Sequence, residues 1–150
     1  MNFWLLFLHI LGACVWVGGH IYLAVAVLPK AIREHSSQRI LDFEASFERL
    51  GMSALIIQVI TGLKMAGLLL PQWSMITNHQ NPIAVLLTLK LTWLALTIVT
   101  ALSAQLWIIP KVKKDLMNAK FRSIFIAHIL MIVTLAIAFV VTGTLFRTGF

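Results

Sequence analysis

A chain of 150 residues that is 60% apolar and only 11% charged, with a mean hydropathy of +0.94, lies outside the range of a water-soluble domain. Its length allows four membrane crossings with short connections and excludes a sizeable soluble domain beside them. A net charge of +7 would suit nucleic acid, but the basic residues flank apolar runs and no recognition module accompanies them, so no nucleic-acid partner is expected.

Four runs have the length and apolarity of spans, at about residues 3–28, 50–70, 83–109 and 123–146. Period-2 alternation is absent, and hydrocarbon offers no partner for free backbone groups, so helices are expected rather than a barrel. The expected fold is all-α, an integral membrane four-helix bundle forming a single domain over residues 1–150. Ala24-Val25-Ala26 has the look of a signal cleavage site, but MNFW carries no basic residue and the apolar run exceeds a usual signal core. The first segment is therefore expected to remain as a span.

Lys30, Arg33, Arg39 and Arg49 fill the first connection, and Lys111, Lys113, Lys114, Lys120 and Arg122 the third; PQWSMITNHQNP, the second, has neither Lys nor Arg. Counted near span ends, this puts connections one and three in the cytoplasm and both termini outside, with Arg147 counting weakly against. In a bacterium the address is the inner membrane, multi-pass. The first connection also spaces Ile40, Phe43, Phe47 and Leu50 helically among Asp42, Glu44, Glu48 and Arg49. This suits an amphipathic interfacial helix or a cytoplasmic extension of the second span. No internal repeat is evident.

The first span carries two ionisable residues, His9 and His20. Eleven positions on a helix bring them within about 20° of one face, about 16 Å apart in height. Gly12, Ala13, Trp16 and Gly19 share that face, so a stripe of small residues and one indole joins the histidines and admits a neighbouring helix or a flat cofactor. Depth then sorts the other spans. Lys90, and Lys64 less closely, match the level of His9 toward the outer side, and His128 matches His20 toward the inner side. Gln58, Thr61 and Thr97 add polar atoms between.

Ionisable groups within a membrane are costly and mark sites by default. Simpler roles stand beside that reading. Lys64 and Lys90 are near enough to the outer surface to snorkel, and a neutral histidine can be satisfied by a Thr or a carbonyl within the bundle. Trp16 and Trp93 suit packing; Trp4, Trp73, Trp107 and Tyr22 suit interfacial anchoring; His79 suits a solvated position.

Imidazole serves haem iron, copper and zinc. Zinc usually takes three or four protein ligands, and Cu(I) recruits thiolate or clustered thioether; the chain has one Cys, Cys14, and scattered Met. Paired nitrogens at two heights suit b-type haem, held non-covalently because no CxxCH occurs. The residues expected at the cofactor are His9, His20, His128, Lys90, Trp16 and Gly19. The three histidines are metal ligands in this reading, and Lys90 either stands opposite His9 or meets a propionate. The partners would be the lipid bilayer and a redox partner or quinone, and Gly62-Leu63-Lys64-Met65-Ala66 permits the close association of a homodimer.

LHILGACVWVGGHIYLAVAVLP, with FEASFERLGMSALIIQVITGL and LLTLKLTW, resembles the membrane domain of the copper resistance protein CopD family in a four-span form. His9, Trp16-Val17-Gly18-Gly19, Pro29, Thr61-Gly62 and Lys90 carry the likeness. It implies copper uptake or resistance, with His9, His20 and His128 as steps on a path. The chain is more distantly similar to HemJ, the membrane protoporphyrinogen oxidase family, which implies catalytic or haem-associated roles for His9 and Lys90. It departs from HemJ in the longer gap between Trp16 and Pro29, in lacking an LPRLFVYH-like segment, and in having His20 and His128.

Overall fold

Hydrocarbon supplies no water to backbone groups, so each apolar run closes its hydrogen bonds within itself, and four long helices result. In a computed structural model of the chain, residues 2–70, 72–78, 80–115 and 118–148 are described. His79 and the side chains of Trp73 and Arg147, with the roles expected for them, lie outside that set. Helix α1 runs Phe3–Tyr22, α2 Leu28–Arg33, α3 Ser37–Leu69, α4 Pro82–Ser103, α5 Ile109–Lys114 and α6 Ala119–Thr148. The continuous helices Phe3–Arg33, Ser37–Leu69, Pro82–Lys114 and Ala119–Phe146 are each long and apolar enough to cross a bilayer. The protein is a multi-pass membrane protein built as an all-α bundle.

Local chemistry explains the helix ends. The Asn2 side chain accepts from Trp4 N at 2.9 Å and the Asn81 side chain from Ile83 N at 3.0 Å, with Pro82 following as a first helical residue. Asn118 Oδ1 accepts from Lys120 N and Phe121 N. Between α2 and α3, His35 takes a left-handed conformation with φ 49°, and Ser36 N closes back on Ala31 O at 2.9 Å. The amphipathic segment of the first connection is the cytoplasmic-type extension of the second span: α3 continues through it without a break.

The first and third spans each contain one π-turn, Leu23–Val27 and Ala104–Ile108, ending two residues before Pro29 and Pro110. A proline has no N–H and its ring crowds the carbonyl four residues back, Val25 or Leu106 here. Widening the turn to Leu28 N→Leu23 O and Ile109 N→Ala104 O lets the helix pass the proline unbroken.

These coincidences reveal an internal repeat that is not evident in the sequence. A shift of 81 positions carries Leu23 onto Ala104, Pro29 onto Pro110, Lys30 onto Lys111, Thr61 onto Thr142 and Gly62 onto Gly143. The same shift pairs His9 with Lys90 and Trp16 with Thr97. The bundle is thus two helical hairpins running in the same sense.

Within the hairpins α1 packs along α3 and α4 along α6. Between them α1 packs on α6, whereas the counterpart pair, α3 and α4, barely meets. The repeat is therefore broken on one side of the bundle. Buried side chains gather at three heights: Leu23, Leu28, Ile40, Val112 and Phe125 at the basic end; Trp16, Val17, Ala54, Ile132 and Ala136 in the middle; Ala66, Leu70, Ala84 and Leu87 at the end that holds the termini. Trp4, Tyr22 and Trp107 are exposed near helix ends, as membrane anchors are.

Candidate functional site

The stripe on α1 is covered by α3. A Cβ on Gly12 would come within 2.9 Å of Gln58 Cγ and 3.1 Å of the Ala54 carbonyl oxygen, and a Cβ on Gly19 would overlap the Phe47 ring. The small residues thus admit a helix and a phenyl ring. Gly18 meets nothing and faces outward. Trp16 is buried, and the His20 ring lies 4.4 Å from it, centroid to centroid.

Two polar layers lie where the depth argument sets them. At the termini end, His9 Nδ1 is 2.9 Å from Thr61 Oγ1. The Thr61 hydroxyl has one proton and donates it to Ile57 O at 2.6 Å, so His9 Nδ1 donates to Thr61 and Nε2 keeps the lone pair. Lys90 reaches from α4 to α6: a Cβ on Gly143 would be 3.4 Å from its Nζ, and the Phe146 ring centroid is 5.2 Å away. The Lys90 charge is within electrostatic reach of His9. Lys64 is exposed, pointing away from this layer, as a snorkelling lysine does.

At the basic end, His20 Nδ1 donates to Trp16 O at 2.7 Å and His128 Nδ1 to Ile124 O at 2.9 Å. Each imidazole is tied to the carbonyl one turn back on its own helix, which leaves Nε2 as the free donor atom. His128 Nε2 is 3.0 Å from Ser103 Oγ, whose single proton is contested by Thr100 O at 2.9 Å. Ser103 is thus a displaceable partner. His20 and His128 line one crevice of about 100 Å³, opening where α3 and α4 fail to close. Trp16, Phe47, Glu44, Glu48, Met52 and Gln105 share its wall.

Glu44, Met52, Phe47 and Ser103 are site-lining residues that the sequence reading did not select. Glu44 and Glu48 read as a solvated face because their helical phase says nothing of the gap between α3 and α4. Thr142 pairs with Trp93 Nε1 at 3.2 Å, as Thr61 pairs with His9, and the repeated Thr-Gly dipeptide is the signal that would have found it. Gly62 and Ala66 are used within the chain, the first against His9 and the second in the buried cluster with Ala84 and Leu87. Between the layers, Thr97 is fully buried and its Oγ1 has no hydrogen-bond partner among the described residues.

Among the described residues no three of His, Cys, Asp and Glu gather as a metal cage. What the arrangement offers chemically is a pair of imidazole Nε2 atoms in one laterally open crevice, and a separate imidazole with an ammonium group at the other end. Compared with known proteins, the chain matches no family model, no curated protein and no solved structure.

Proposed function

We propose that the protein binds haem b in the bacterial inner membrane and serves redox transfer there, with a quinone or a protein as partner. The observation that carries the reading is the shared crevice of His20 and His128, each with Nδ1 committed to a carbonyl. That second bond fixes the tautomer and aims Nε2, as it does for metal-ligating histidines generally. The donor set fits an iron taking two axial nitrogens, which would supply one-electron chemistry when bound. Trp16 and Phe47 would flank it, and the open edge between α3 and α4 would take the part of the ligand that the enclosed space does not hold. The Lys and Arg of the first and third connections support an orientation with the basic end in the cytoplasm.

The test is an absorption spectrum of the detergent-purified protein, made with haem supplied, before and after dithionite, with metal analysis of the same sample. A Soret band that sharpens on reduction and is lost in His20→Ala and His128→Ala is expected. A spectrum unchanged by both substitutions would refute the ligand assignment.

A second reading is favoured by Met52 and by the crevice volume. About 100 Å³ is below the range of roughly 300–1,000 Å³ typical of pockets for drug-sized ligands, whereas a single ion needs little room. Two imidazoles with a thioether on the same wall suit copper. This accords with the CopD resemblance, and a colourless preparation carrying stoichiometric copper would select it.

A further inference from the structure

The chain has five acidic residues, Glu34, Asp42, Glu44, Glu48 and Asp115, and every one lies in the first or third connection or in the helix ends beside them. The half of the bundle that holds the termini contains no Asp or Glu. Lys90 is nevertheless there, half-buried, eight residues into α4 and so about 12 Å along the helix from its start. Its ammonium lies against α6, with Gly143 and the Phe146 ring as neighbours, instead of running outward along α4. Among the described residues no carboxylate pairs with it, the one ion pair being Arg39 with Glu34.

The repeat explains how a second basic group comes to the same level. His9 is the counterpart of Lys90, and each lies over the glycine of a Thr-Gly pair, His9 over Gly62 and Lys90 over Gly143. A Cβ on Gly62 would stand 3.2 Å from His9 Cε1, so glycine is what lets each side chain lie flat on its partner helix. His9 Nε2 and Lys90 Nζ are left as the unused polar atoms of the layer, an acceptor beside a donor. A cation held between helices without a counter-ion is a cost to folding, and an anion bound there offsets it.

We infer that Lys90 and His9 form a receptor for the anionic head, carboxylate or phosphate, of a lipid-soluble amphiphile. The depth selects the carrier: a free inorganic anion does not partition into hydrocarbon, whereas a head group attached to an apolar body arrives with it. Lys90 supplies the charge-assisted hydrogen bond, and His9 Nε2 accepts from a protonated acid or, once protonated, donates. This site is at the opposite end from the His20–His128 crevice and does not depend on the haem reading.

The experiment is a thermal-stability titration of the purified full chain in neutral detergent with dodecanoate, dodecyl phosphate, methyl dodecanoate and inorganic phosphate, read by tryptophan fluorescence. Dodecanoate or dodecyl phosphate is expected to raise the melting temperature saturably, and the ester and inorganic phosphate to leave it unchanged. Lys90→Met should weaken the response about tenfold or more, while Lys90→Arg retains it. Lys90→Met removes an unpaired charge and so is expected to fold, which keeps its loss of response interpretable. A Lys90→Met protein that titrates like the parent would assign binding to the basic end and overturn the proposal. So would an equal response to the ester or to inorganic phosphate. His20→Ala, which removes the proposed haem ligand, should leave the titration intact, so the two readings fail separately.

Discussion

Gly12 and Gly18 lie six residues apart on the same helix, and substituting each by alanine separates packing from helix propensity. Any intrinsic gain from replacing a helical glycine, about 1 kcal/mol, is common to both variants and cancels in their difference. What remains is steric. At Gly18 a methyl group enters open space, whereas at Gly12 it would stand 2.9 Å from Gln58 Cγ and 3.1 Å from the Ala54 carbonyl oxygen. Gln58 is a flexible side chain and can turn aside. The Ala54 carbonyl is backbone, and restoring an ordinary contact needs α1 and α3 to part by about 0.3 Å along their most extensive interface. Overpacking of this kind costs about 1–3 kcal/mol, so Gly12→Ala should be less stable than Gly18→Ala by that amount. Reversible unfolding in mixed micelles, followed by tryptophan fluorescence, measures the difference. Adding Gln58→Ala to Gly12→Ala should recover the side-chain share and leave the backbone share. Equal stabilities for the two single variants would refute the claim that α1 and α3 meet through Gly12.

Two further expectations concern single residues. Thr97→Val exchanges a buried hydroxyl without a partner for a methyl group of the same shape, and should raise stability by about 1 kcal/mol in the same unfolding assay; a loss of that size would mean that the hydroxyl is satisfied. His35→Gly relieves a side chain held at φ 49° in the turn between α2 and α3, and should stabilise the protein by about 0.5–1 kcal/mol. A destabilised His35→Gly protein would place a tertiary role on the imidazole.

The number and approximate place of the spans were legible in the sequence because hydrocarbon imposes a length and a composition on any helix that crosses it. So was the sorting of His9 with Lys90 and of His20 with His128, since depth follows from residue count at a fixed rise. The shared face of His9 and His20 was legible for the same reason, though what covers it was not: α3 and the Phe47 ring fill the stripe that equally suited a flat cofactor. The repeat was hidden because hydrophobic positions in a membrane interchange freely. Only constrained residues such as Pro29 and Pro110, or Thr61-Gly62 and Thr142-Gly143, keep their identity across the shift.

Sequence alone determined that this is an all-α membrane chain of four spans with basic groups concentrated at one end, because those properties depend on composition, length and periodicity along one strand of chain. Tertiary structure decided what each ionisable residue faces. Lys64 and Lys90 are both lysines near one end of a span, yet one turns outward and the other lies between α4 and α6, a difference set by the rotation of each helix against its neighbours. The crevice is likewise a tertiary property: it exists because α1 packs on α6 while α3 and α4 do not close, and no local pattern encodes the failure of two distant helices to meet.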